Sequence, residues 1–146
     1  MILDKIGLLV CGSRCIGGWD MFMSTYTDHR HFNFIYETLD TKIKHILNRE
    51  GLQHKSDIII ISGMATGPDE IAANYASDKH IPLITFPAEW KRYGKKAGFI
   101  RNSEMLKHAE YVIAFYDGQS NGTKHTLREA KKLHKPCKTF VLDCNL

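Results

Sequence analysis

No segment of this 146-residue chain is both long and apolar. Its uninterrupted apolar runs, Ile58–Ile61 among them, fall far short of the roughly 20 residues a helical membrane span requires, so no such span is expected. Cysteine is scarce: Cys11, Cys15, Cys137 and Cys144 are too few and too scattered for a small disulfide-stapled scaffold. Met1 to Gly7 carries Asp4 and Lys5 with no small-residue cleavage site after it, and a cytoplasmic chain with reduced thiols is the expectation. Cys11, Cys15, His29 and His31 offer metal-ligand atoms, but no pair has the Cys-x-x-Cys spacing of structural zinc, and no metal is expected. Charge bias is weak too. Lys and Arg number 20 against 16 Asp and Glu, a formal +4 that slightly favours an anionic ligand but is no dense basic stripe. With 43% hydrophobic and 25% charged residues and no repeat or linker, disorder is excluded and one domain over 1–146 is expected.

What is present is an alternation. Ile6–Cys11, Asp57–Ile61, Leu83–Phe86, Tyr111–Phe115 and Lys138–Leu142 are short runs, mostly apolar throughout, as in strands buried on both faces of a parallel sheet. Between them, Phe32, Ile35, Tyr36, Leu39, Ile43, Ile46 and Leu47 follow the spacing of one helix face, which Gly51 ends. Pro68 opens a second helix with Ile71, Ala72, Tyr75 and Ala76 on its apolar stripe. A third is expected from about Lys96 to Lys107, and a fourth from Asn121, burying Leu127, Ala130 and Leu133 before Pro136. Five strands and four helices in this order predict an α/β, Rossmann-like doubly wound domain, its mainly parallel five-stranded sheet covered by helices on both faces. Ligands of such sheets bind beyond the strand C-termini where strand order reverses, which, if the first strand is central, lies between the first and fourth strands.

The loops at that edge are rich in small residues. Gly12-Ser13-Arg14 follows the first strand, Ser62 to Asp69 the second, and Asp117 to Thr123 the fourth. Glycine permits close backbone approach, and the first amides of a helix are unpaired donors suited to phosphate. Neither a Walker A loop nor a Gly-x-Gly-x-x-Gly fingerprint is present, which disfavours ordinary ATPases and NAD dehydrogenases. After the third strand, Trp90 to Asn102 mixes cations with aromatics. Arg101 falls inside the following helix, from where a guanidinium can clamp a phosphate bidentately.

Three ordered motifs carry a family resemblance: Ser62-Gly63-x-Ala65-x-Gly67-x-Asp69; Trp90…Gly94-Lys95-x-Ala97-Gly98…Arg101-Asn102…Met105; and Ala109 to Phe115…Gly122-Thr123. Together they resemble the YspA-type branch of the SLOG superfamily, which groups DprA/Smf with the Lonely Guy nucleotide hydrolases. The resemblance runs from about Ile6 to Leu142 and is strongest from Ile60 to Thr123. It implies a Rossmann-like fold, a nucleotide or nucleotide derivative in the crevice, and assembly into homo-oligomers. Met64 and Thr66 stand where the family often has Gly and Arg. Met64 resembles the DprA-like loop, which carries an apolar residue there. The stretch Cys15–His31 has no counterpart, and its Trp19, Met21, Phe22, Met23 and Tyr26 suit a lid, a subunit contact or an ordered loop over the core.

Motifs and resemblance together select the expected ligand contacts. They are Gly12, Ser13 and Arg14; Gly63, Met64, Ala65, Gly67 and Asp69; Trp90, Arg101 and Asn102; and Gly118, Asn121, Gly122 and Thr123. Binding without catalysis, as a sensor, sequestering protein or allosteric module, is the preferred reading, with no cofactor. The alternative enzyme, a nucleoside 5′-monophosphate N-glycosidase similar to Lonely Guy proteins, needs a carboxylate where this chain has Thr126; only Glu104 or Glu129 would substitute. A third reading, DprA-like single-strand DNA binding, would use Lys91, Arg92, Lys95 and Lys96 with nearby aromatics.

Overall fold

A computed structural model describes residues 4–144. The elements in chain order are β1 (Ile6–Gly12), β2 (Trp19–Asp20), β3 (Thr25–Tyr26), α1 (His29–Glu50), β4 (Ile58–Ser62), α2 (Pro68–Asp78), β5 (Leu83–Thr85), α3 (Trp90–Tyr93), α4 (Ala97–His108), β6 (Tyr111–Tyr116), α5 (Asn121–Lys132) and β7 (Cys137–Val141). Five of the strands form one sheet in the order β5-β4-β1-β6-β7, and every pairing in it is parallel.

Alternation along each strand decides which layer a side chain joins. Leu8 and Val10 of β1, Ile58 and Ile60 of β4, and Ile113 and Phe115 of β6 pack with Ile35, Leu39, Ile43 and Ile46 of α1 and Ile71, Ala72 and Tyr75 of α2. Leu9 and Cys11, Ile61, Val112 and Ala114 point the other way, onto Met105 and Leu106 of α4 and Ala130 of α5. Helices therefore cover both faces, and the strand order reverses between β1 and β6. The Rossmann-like α/β fold is as the sequence predicts.

Local chemistry sets the element ends. Gly51 takes a left-handed conformation (φ 67°) and caps α1, and its amide reaches back to the carbonyls of Asn48 and Leu47. Pro68 opens α2, where its missing N–H costs nothing. Helix α5 ends at Lys132, and Leu133 is half exposed rather than buried. Thr123 and Thr126 occupy its inner face instead, so that face is more polar than the leucine spacing implied.

Two features correct or extend the sequence reading. The stretch Cys15–His31 folds into an antiparallel β2–β3 hairpin outside the main sheet. Its Trp19 and Tyr26 rings lie 4.9 Å apart and pack on the core, whereas Met21, Phe22 and Met23 at the tip are exposed. Cys15 and Cys144, 129 residues apart, form a disulfide. This overturns the expectation of reduced thiols for that pair, while Cys11 and Cys137 are free. Parallel strands explain the pairing: β1 and β7 end at the same sheet edge, which brings the segments following them together. Among the described residues no helix is long and apolar enough to cross a membrane.

The hairpin is moored by one hydroxyl. Tyr26 Oη accepts the Gly67 amide at 3.0 Å and donates to Glu70 Oε1 at 2.9 Å. Replacing it by Tyr26→Phe leaves a buried N–H without its acceptor, which costs about 1–3 kcal/mol. Urea unfolding of Tyr26→Phe should therefore show a lowered midpoint at unchanged slope; a wild-type midpoint would mean that the hairpin is not held there.

Candidate functional site at the sheet reversal

Strand β1 delivers Gly12 to the reversal point because nothing larger fits. A Cβ there would lie 2.4 Å from the Phe115 carbonyl oxygen and 2.5 Å from Pro68 Cγ. Beyond Gly12, the Ser13 amide donates to the Phe115 carbonyl at 2.9 Å. The Ser13 hydroxyl donates to Asp117 Oδ1 and accepts the Asp117 amide, both at 2.9 Å. These bonds lock the β1 loop to the β6 loop at the base of a cleft of about 410 Å³.

The β4 loop plays a different part from the one its glycines suggest. The Ser62 hydroxyl donates to the Asp69 carbonyl and accepts the Met64 amide, and the Gly67 amide is spent on Tyr26. The Asp69 side chain receives the amides of Ala65 and Gly12. Of this loop only Ala65 and Asp69 line the cleft. Gly63 lies behind it, where a Cβ would come 2.6 Å from Arg101 Nη1 and 3.0 Å from Asp69 Oδ2. Met64 is exposed with φ 58°, in the left-handed region that favours glycine.

Helix α4 carries the principal cation. Arg101 Nη1 donates to the Gly63 carbonyl at 2.8 Å and Nε to Asn102 Oδ1 at 3.0 Å, fixing the guanidinium plane. Asn102 Nδ2 donates in turn to the Gly122 carbonyl at 3.3 Å, linking α4 to the start of α5. Burial pushes the Asp69 carboxyl up to about 7, against the pull of Arg101, the Ala65 amide, Arg14 and the Gly12 amide. Asp117 goes the other way. Burial would raise it, but the amides of Gln119 and Ser120 and the Ser13 hydroxyl more than offset this and hold it below its usual value.

Aromatic rings stand beside the cation, Trp90 and Arg101 both within 4 Å of where a Gly98 Cβ would lie. Trp90 and Phe99 line the cleft and are about half exposed, at 52% and 45%. Phe99 stacks on His125 with centroids 4.4 Å apart. The N-terminus of α5 completes the cleft with Ser120, Gly122 and Thr123; the Ser120 side chain caps the helix by accepting the Thr123 amide.

Of the expected contacts, Gly12, Ser13, Arg14, Ala65, Asp69, Trp90, Arg101, Asn102, Gly122 and Thr123 line this cleft, whereas Gly63, Met64, Gly67, Gly118 and Asn121 do not. Phe99, Cys15, Asp117 and Thr126 line it without having been selected from the sequence. Glu104 and Glu129 lie outside it, each paired with a lysine three residues on, Lys107 at 2.7 Å and Lys132 at 3.4 Å. That i, i+3 pairing is legible in the sequence as the mark of a solvated helix face. Thr126 is buried and donates to the Gly122 carbonyl.

Sheet order and cleft position together define a Rossmann-like α/β protein whose polar and aromatic groups meet at the topological switch point. The model of the YspA, cpYpsA-related SLOG family matches residues 7–93, more than half of the chain, and the protein belongs to that family. It is also 36% identical over 89 residues to the Gene 61 protein of Mycobacterium phage D29, a stretch covering 57% of this chain and 71% of that protein. No solved structure matches.

Asp69 gives the site a pH signature. A carboxyl raised to about 7 from its ordinary 3.8 binds its proton more tightly in the folded than in the unfolded chain. Its contribution to stability is full below about pH 4 and is lost as pH rises toward 7. Asp69→Asn removes that titration. Urea unfolding from pH 4 to 7.5 should show wild type losing stability relative to the variant as pH rises, and a pH-independent difference would contradict the assignment.

Proposed function

We propose that the cleft binds a nucleotide or nucleotide-derived ligand, and that the protein acts as a sensor, sequestering or allosteric module. The observation that carries this reading is a cation beside aromatic rings in one cleft: Arg101, oriented by its two hydrogen bonds, with the half-exposed Trp90 and Phe99 rings and the α5 N-terminus lining the same space. A guanidinium and helix amides suit phosphate oxygens. Exposed rings suit the flat face of a base. Family membership supports the same class of ligand.

The hydrolase alternative draws less support. Thr126 replaces the required glutamate, and neither Glu104 nor Glu129 reaches the cleft. For single-strand DNA, the basic loop gives the cleft little: Lys95 lines it, whereas Lys91, Arg92 and Lys96 do not.

Calorimetric titration with AMP, ADP-ribose and inorganic phosphate tests the proposal. A charge-assisted hydrogen bond contributes about 1.5–3 kcal/mol, so Arg101→Ala should weaken AMP binding roughly tenfold to a hundredfold. Arg101→Lys should recover part of the loss, since it keeps the charge without the planar fork. Trp90→Ala should weaken AMP, by about 1–3 kcal/mol for a lost stack, and leave inorganic phosphate unaffected. Circular dichroism controls for folding. AMP binding that ignores both substitutions would sink the proposal, as would rapid release of free base from AMP by the purified protein.

A further inference from the structure

The disulfide stands at the rim of this cleft rather than apart from it. Cys15 directly follows Arg14, lines the cleft, and is exposed. On its other side Cys15 and Cys144 line a second, outward-facing cavity together with Asp28, His29 and Arg30. The sulfur pair is thus open to an external thiol. Cys15 Sγ lies 3.6 Å from Asp117 Oδ2. Asp117 Oδ1 in turn accepts the Ser13 hydroxyl at 2.9 Å and the amides of Gln119 and Ser120 at 2.9 and 2.8 Å. One chain of contacts therefore runs from the disulfide through Asp117 to both the β1 loop and the cap of α5.

We propose that Cys15–Cys144 is a redox-modification site, a reversible disulfide whose exchange with a dithiol loosens the β1 and β6 loops that line the cleft. One thiolate of the dithiol attacks Sγ of Cys15, the more exposed residue of the pair, and the Cys144 thiolate leaves. The second thiol of the reductant then attacks its own mixed disulfide and releases Cys15. Two electrons and two protons pass from the dithiol, which closes to its own disulfide, and Cys15 and Cys144 end as thiols. After reduction the segment following β7 is still held by the Leu142 amide on the Tyr116 carbonyl. The covalent tie from Cys144 to the β1 loop is gone, and Asp117 gains a neighbour free to rotate. The Ser13–Phe115 and Ser13–Asp117 bonds still join the two loops, so preorganisation is weakened rather than lost, and preorganisation is what lowers the cost of binding. The effect on ligand rests on the nucleotide reading above; the effect on the loops does not.

The test compares the intact protein equilibrated in oxidised and in reduced dithiothreitol. Alkylation followed by intact-mass measurement should show Cys137 modified in the first and Cys15, Cys137 and Cys144 in the second, with circular dichroism unchanged and full return on reoxidation. Amide hydrogen exchange without ligand should be at least tenfold faster in residues 13–18 and 117–120 of the reduced form. AMP should bind the oxidised form at least threefold more tightly. Cys144→Ser should match the reduced form in either buffer. A pair that resists reduction while the protein stays folded overturns the proposal, as do exchange rates that are equal in the two forms. Equal AMP affinities with unequal exchange refute the coupling to ligand. Should neither form bind AMP, the nucleotide reading fails and the exchange rates alone decide the site.

Discussion

Burying a carboxyl group is costly unless donors meet it, and the cleft is organised around one such group. Asp69 is 6% exposed and takes its amides from two different segments, Gly12 at the end of β1 and Ala65 in the β4 loop. The Arg101 guanidinium, brought in by α4, adds an opposing charge. Gly63 has no side chain between them because none would fit. Three elements that are distant in sequence are therefore fixed relative to one another by the need to satisfy one carboxyl. Arg101 reaches its place as part of that settlement, and its two hydrogen bonds then hold it in one orientation at the cleft wall.

Much of the architecture is legible in the sequence because the central strands β4, β1 and β6 are buried on both faces; the edge strands β5 and β7, expected to be buried likewise, are largely exposed. Leu8, Leu9 and Val10 are all fully buried although they alternate between two helix layers, so the run reads as uniformly apolar. Gly51 and Pro68 mark helix ends by local backbone chemistry that requires no tertiary knowledge. The β2–β3 hairpin escapes for the opposite reason. Its strands are two residues long, and its mooring is a tertiary bond from Tyr26 to Gly67. The Cys15–Cys144 pairing likewise depends on parallel strands ending at one edge, and spacing along the chain says nothing of it.

The site was legible in part, and the part that was not is instructive about glycine-rich loops. Sequence identifies loops whose backbone can approach a ligand; it does not say whether their amides are still free. The amide of Gly12 goes to Asp69 and that of Gly67 to Tyr26, so the β4 loop braces the cleft and contributes little of its wall. Phe99 was visible only as one aromatic among cations. Its place at the cleft follows from the turn through Gly94–Lys96 and from the stack on His125.

The two carboxylates that do reach the cleft weigh on what it can do. A general base needs a lone pair directed at substrate, and a nucleophile needs the same. Asp69 has amides on it from two segments, and Asp117 accepts a hydroxyl and two amides through a single oxygen while its other oxygen faces Cys15. Asp69 and the Oδ1 atom of Asp117 are committed to holding loops together, while Asp117 Oδ2 faces a disulfide sulfur that has no proton to donate. What remains directed into the cleft is a cation wall, a capped helix N-terminus and two half-exposed rings. Such groups supply affinity and shape, and it is on them that the proposed binding of a nucleotide rests.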